Sequence, residues 1–70
     1  MTEQQALECH DRGQQAAAEG RHEQAIAAFQ SAAEYFEDAE GRDSPDLANI
    51  LADRVDSHRK AFPIEETAHP

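Results

Sequence analysis

The chain is poor in residues that cross-link a protein or anchor it in a membrane. It has one cysteine and no tryptophan among its 70 residues, so no internal disulfide can form. No apolar run approaches the ~18 residues that a membrane-spanning helix needs. The opening residues, MTEQQALE, contain neither the basic nor the apolar segment of a secretion signal. These absences predict a soluble, cytoplasmic protein.

Basic residues are also scarce. Six Lys and Arg stand against 15 Asp and Glu, which gives a net charge of −9. This charge excludes binding to a nucleic-acid backbone or to an anionic membrane surface. It favours a basic partner, although a generally acidic proteome would have the same composition. The acidic excess is concentrated between residues 34 and 46, as in a solvated helix end and loop or in a docking surface.

Apolar residues recur at helical spacing along the chain, and no segment shows the alternation of apolar and polar residues that is typical of a strand. The clearest helix lies within residues 20–36, where one face carries Ala25, Ile26, Phe29, Ala32, Ala33 and Phe36. Small alanines let neighbouring helices approach closely, and the ring of Phe29 fills the space between them. This helix is therefore expected to lie between two others.

Capping residues predict where each helix begins and ends. Thr2 and Gln5 have the spacing of a capping box, Gly20 suits a helix C-terminus, and Ser44 precedes Pro45 as an N-cap would. Pro63 ends the last helix. The predicted helices span about 3–19, 22–38 and 45–61, within one domain of residues 1–62, followed by a flexible tail, 63–70.

The first and third helices differ in the side chains of their expected inner faces. The first has almost only small residues: Ala6, Cys9 or His10, Gly13, Ala16 and Ala17. Gly13 costs ~1 kcal/mol relative to alanine in a helix, which makes sense if another helix needs the room. The third has an apolar edge of Leu47, Ile50, Leu51, Val55, His58 and Phe62. So light a core often needs a ligand or a second copy of the chain.

Two groups of residues resemble the tetratricopeptide repeat. Its small, turn and aromatic positions are matched by Gly13, Ala16, Gly20, Ala25, Phe29 and Ala32. The segment Asp-Ser-Pro-Asp-Leu-Ala, residues 43–48, is similar to the longer repeat of kinesin light chains. The chain departs from this pattern at Cys9, Arg12 and Glu37, and at Phe62, where the next turn glycine would stand. The resemblance covers residues 6–60 and implies an all-α, right-handed stack of three helices: one repeat plus a capping or interface helix.

The resemblance also implies a function, a non-catalytic adaptor that binds a protein or peptide. The positions that line the family's concave groove are His10, Gln14 and Ala17, with Asn49, Asp53 and Asp56. The family's carboxylate clamp is missing, which favours a basic peptide over a chaperone tail. Because the second hairpin is unfinished, a homodimer is expected at the open end, through Leu47, Ile50, Leu51, Val55 and Phe62.

No catalytic or metal-binding constellation is evident in the sequence. Cys9 and His10 are adjacent, so on a helix they diverge by about 100° and cannot easily share one ion. The scattered glycines form no phosphate-binding loop, and Ser44 is explained as a cap. We therefore expect no enzyme activity and no cofactor. Two alternatives stay open: a fragment or cap of a longer helical repeat array, and a histidine-based metal-binding or pH-responsive protein.

Overall fold

The computed structural model describes residues 1–63, which form three helices and no strand. These are α1 (Glu3–Ala18), α2 (His22–Glu40) and α3 (Pro45–Ala61). The predicted all-α stack is confirmed, and each predicted helix end lies within two residues of the observed one. Most of the predicted tail, residues 64–70, lies outside the described part of the chain. No helix within residues 1–63 combines the length and the apolar character needed to cross a bilayer.

Side chains cap the first turns of α1 and α3 as the sequence predicts. The Gln5 backbone N–H donates to Thr2 Oγ1 at 3.2 Å, and the Thr2 N–H donates to Gln5 Oε1 at 3.0 Å. At α3, the Leu47 N–H donates to Ser44 Oγ at 3.2 Å. Each cap satisfies backbone donors that have no partner inside the helix, and so fixes where the helix starts.

The turn between α1 and α2 depends on Gly20. Its φ of +84° lies in the left-handed region that glycine adopts without strain. The Gly20 N–H donates to the Ala17 carbonyl at 3.1 Å, and the Arg21 N–H donates to the Ala16 carbonyl at 2.8 Å. This pair of bonds is a Schellman motif, which ends α1 and reverses the chain into a helical hairpin.

Helix α2 continues two residues beyond the predicted end at Asp38 and stops at Gly41. The φ of Gly41 is +84°, and its N–H donates to the Glu37 carbonyl at 3.0 Å. Just beyond, the Ser44 hydroxyl donates to Glu40 Oε1 at 2.6 Å. The side chain of the last residue of α2 is therefore bonded to the same serine that caps α3.

The core is one cluster of buried apolar side chains built around α2. Its members are Ala6, Ala25, Phe29, Ala32, Ala33, Phe36, Leu47 and Ile50. The Phe29 ring lies against Gly13 so closely that a Cβ at Gly13 would stand 2.4 Å from ring atom Cε1. Two expectations are confirmed: α2 lies between the other two helices, and Gly13 on α1 makes room for a neighbouring helix, which is α2.

Helix α3 buries Leu47 and Ile50 of the predicted apolar edge and leaves the rest of that edge largely exposed. Leu51, Val55 and Phe62 are exposed by 36%, 47% and 51%. Ser57, which is not part of the predicted apolar edge, is 1% exposed and lies on the same face of α3 as Ile50. Ile26, expected on the buried face of α2, is only partly covered. The prediction that α3 leaves apolar surface uncovered is confirmed for the described residues.

Candidate functional site

Polar side chains connect α1 to α3 on one side of the molecule. Asp53 Oδ2 lies 2.8 Å from His10 Nε2 and accepts a hydrogen bond from Gln14 Nε2 at 3.1 Å. His10 and Gln14 are one turn apart on α1, so both side chains reach the same carboxylate. The structure therefore brings together three of the residues that the family resemblance assigns to a concave groove.

Their surroundings show that these residues also support the fold. The side chain of His10 is 17% exposed, and its ring meets the edge of Phe29 with centroids 5.5 Å apart. Asp53 is more open, with 39% of its side chain exposed. Since α1 and α3 otherwise touch little, this cluster is their main polar connection among residues 1–63. A ligand binding here would compete with an existing intramolecular hydrogen bond.

The other predicted concave residues do not join this cluster. Asn49 and Asp56 are exposed on α3, and Asp56 Oδ2 pairs with Lys60 Nζ at 3.2 Å, one turn along. Ala17 is partly buried and packs against the core. The side of the molecule with His10, Gln14 and Asp53 thus offers a small polar patch.

The larger open feature is a groove between α2 and α3 on the opposite side of α3. We call it the α2–α3 groove. It is lined on α2 by Ile26, Gln30, Ala33, Glu34 and Glu37, and on α3 by Leu47, Leu51, Arg54, Val55, His58 and Arg59, with Arg42 from the connecting loop. It follows both helices for several turns and is open to solvent.

Apolar side chains on α3 form one edge of this groove. Leu51 and Val55 are the exposed large apolar residues of the helix, and Phe62, directly after its last residue, is exposed as well. The His58 ring packs against the Phe62 ring, with centroids 5.1 Å apart, at the C-terminal end. Leu47, which the sequence also assigned to the interface, is only 4% exposed and belongs to the core. Leu47 therefore leaves little surface for another molecule.

The α2 wall of the groove is the part that sequence reasoning missed. Ile26 and Ala33 are seven residues apart, with Gln30 between them, which is the spacing of a second ridge on the helix. The sequence assigns Ile26 and Ala33 to the same buried face as Ala25, Phe29, Ala32 and Phe36. A helix that packs between two others needs apolar side chains over a wider part of its surface than a helix with one neighbour. On α2 this apolar surface includes Ile26, which α3 covers only in part.

The side chains of residues 1–63 form no group of three or more His, Cys, Asp or Glu residues placed to hold a metal ion. Among the described residues, the Nδ1 atom of His22 at the start of α2 is buried and has no hydrogen-bond partner. Cys9 is a free thiol, partly covered beside the core. These groups lie apart from one another and from the groove.

Comparison of the chain with models of protein families, with curated proteins and with solved structures finds no match. The case for a function therefore depends on the surfaces described above.

Proposed function

We propose that this protein is a small helical adaptor of the tetratricopeptide-like kind, which binds a helix of another protein molecule in the α2–α3 groove. The observation that carries the proposal is the exposed apolar row of Leu51, Val55 and Phe62 beside that groove. A small domain gains stability by burying its large apolar side chains. A row of such side chains left in solvent therefore indicates a binding surface.

The shape of the groove supports a helical ligand. Two antiparallel helices of 19 and 17 residues flank the groove. Its α2 wall includes Ala33 and Gln30 rather than large apolar or aromatic side chains at these positions. An amphipathic helix can lay its apolar face in such a groove, with anchors three and four residues apart. The charged groups at the rim, Glu34, Glu37, Arg54 and Arg59, would then pair with the polar flanks of the ligand.

The experiment is a selection of displayed amphipathic helical peptides against the immobilised full-length chain, followed by NMR titration of the selected peptides. We expect amide shifts at Leu51 and Val55, and loss of binding in Val55→Glu. The matched control is Asn49→Glu, an equally simple change at an exposed position on the concave side of α3. If Asn49→Glu abolishes binding and Val55→Glu does not, the concave face is the binding surface and the groove assignment fails.

A second candidate function is supported by the same groove. In a helical repeat array the next helix packs beside the last hairpin, and the α2–α3 groove has the position and length for such a helix. The chain would then be a segment or cap of a longer array with a structural role. An array segment should unfold gradually when isolated, whereas an independent adaptor should show a single cooperative denaturant transition by circular dichroism.

A further inference from the structure

Charge is unevenly distributed along the α2–α3 groove. Glu34 and Glu37 lie at the end near the start of α3, where Arg42 is the nearby cation. Arg59 and the His58 ring lie at the other end. Arg54 lies between the two ends and borders both halves of the groove. The end near the start of α3 therefore carries two carboxylates beside Arg42, whereas the other end carries Arg59 and no carboxylate.

We propose that the occupant of this groove is helix α3 of a second copy of the chain, antiparallel to the first, with a twofold axis beside Val55. The inference rests on the proposed function and names the helix that is bound. A twofold arrangement brings the carboxylates of Glu34 and Glu37 in each groove to the Arg59 end of the other. A surface that is complementary to itself in this way fits an identical partner.

The side-chain spacing on α3 gives the register. Ala48, Leu51, Val55 and His58 on α3, followed by Phe62 directly after the helix, are separated by alternating steps of three and four residues, which is the spacing of a coiled-coil seam. Antiparallel pairing about Val55 brings Phe62 opposite the small Ala48 of the second copy. It also brings Arg59 to the level of Leu51 of the second copy, beside Glu34 and Glu37 of that copy. In this single register, the large Phe62 side chain lies opposite the small Ala48, and the Arg59 cation lies near the carboxylates of Glu34 and Glu37.

Within residues 1–63, the charges that this pairing needs take part in no intramolecular ion pair. The ion pairs found within residues 1–63 join His10 to Asp53, Arg21 to Glu19 and Lys60 to Asp56. Arg59, Glu34 and Glu37 take part in none of them. The intramolecular face of α3, with Ile50 and Ser57, is a separate face, so dimer formation requires no rearrangement of the core.

The first experiment measures dimer dissociation by sedimentation equilibrium for the full chain and its charge-reversal variants. Arg59→Glu and Glu34→Arg should each weaken dimerisation at least about tenfold, because each brings like charges together. The double variant should recover most of the wild-type affinity. Arg12→Glu is the matched control: it changes the net charge as Arg59→Glu does, but on α1, away from the groove. An equal loss in Arg12→Glu, or no recovery in the double variant, overturns the proposed pairing.

The second experiment tests direction with a short bismaleimide cross-linker in a Cys9→Ala background. Val55→Cys should link to itself, whereas Phe62→Cys should link efficiently only when mixed with Ala48→Cys. Efficient self-linking of Phe62→Cys indicates parallel pairing and contradicts the proposal. A chain that stays monomeric but binds selected helical peptides in the groove refutes the dimer and leaves the adaptor function standing. A monomer that binds no such peptide refutes both.

Discussion

Gly13 lies directly against the Phe29 ring, and this contact sets how closely α1 and α2 can approach. A Cβ at residue 13 would be 2.4 Å from Cε1 and 2.6 Å from Cδ1 of that ring. The ring is 1% exposed and packed among alanines, so it has little room to move. The intrinsic helix cost of glycine, ~1 kcal/mol, is offset by packing that a larger residue would not allow.

We expect Gly13→Ala to destabilise the protein although it improves helix propensity. Overpacking costs ~1–3 kcal/mol, which exceeds the gain in propensity. In a Phe29→Leu background the clash is relieved, and the same change should become neutral or stabilising. Urea unfolding of the four chains, followed by circular dichroism, measures the difference. Gln15→Ala, at an exposed site of α1, controls for propensity alone. A more stable Gly13→Ala single variant would contradict the packing described here.

At the scale of the elements, the helices are joined by few polar contacts, and each has a definable task. Ser44 caps α3 through its hydroxyl oxygen and donates to the last residue of α2 through the hydroxyl hydrogen. The His10–Asp53–Gln14 cluster links α1 with α3 across the face of α2. The Ser44 hydrogen bonds connect α2 with the next helix in the chain, and the His10–Asp53–Gln14 cluster connects the first helix with the third.

Ser44→Ala should destabilise the protein by about 1 kcal/mol or slightly more. The loss of an N-cap accounts for ~1 kcal/mol, and Ser44 is buried, so water cannot replace its bond to Glu40 easily. Thermal and urea unfolding measure the change. Ser31→Ala, on the exposed surface of α2, is the matched control and should stay within ~0.5 kcal/mol. Equal effects of the two substitutions would show that the cap contributes nothing.

Asp53→Ala should cost about 1 kcal/mol, because it removes the acceptor shared by His10 and Gln14 at a partly exposed site. A double-mutant cycle with His10→Ala isolates the interaction across α1 and α3, and we expect a coupling of ~0.5–1.5 kcal/mol. Asp56→Ala, which breaks an exposed pair with Lys60, is the control and should change stability little. A coupling of zero would mean that the two side chains meet without stabilising the stack.

The elements also show how far the sequence could be read. Thr2, Gly20 and Ser44 predict helix ends from local chemistry, because caps depend on residues within one turn. Ser57 could not be placed in the same way. Its burial depends on how α3 is rotated against α2, which is a tertiary choice that a polar residue does not signal. The α2 wall of the groove was missed for the same reason. The family resemblance, in contrast, assigns His10 and Asp53 to one surface, and the structure brings their side chains together.

At the scale of the whole molecule, all three helices contribute to one small core. Ala6 comes from α1, Phe29 and Phe36 from α2, and Ile50 from α3, in a single cluster. A 70-residue domain has a free energy of unfolding of roughly 4–10 kcal/mol. Loss of one central side chain is therefore expected to affect every helix rather than the nearest contact alone.

Phe29→Ala tests this directly. Truncating a buried phenylalanine costs ~3–5 kcal/mol, which is much of the stability of so small a domain. We expect a large drop in the urea midpoint, with the Tyr35 fluorescence on α2 and the circular dichroism of all three helices changing together. Leu7→Ala, at a residue 45% exposed on α1, should shift the midpoint little. If the two signals separate in the variant, α2 no longer holds α1 and α3 in one cooperative unit, and the shared core would have to be divided into independent contacts.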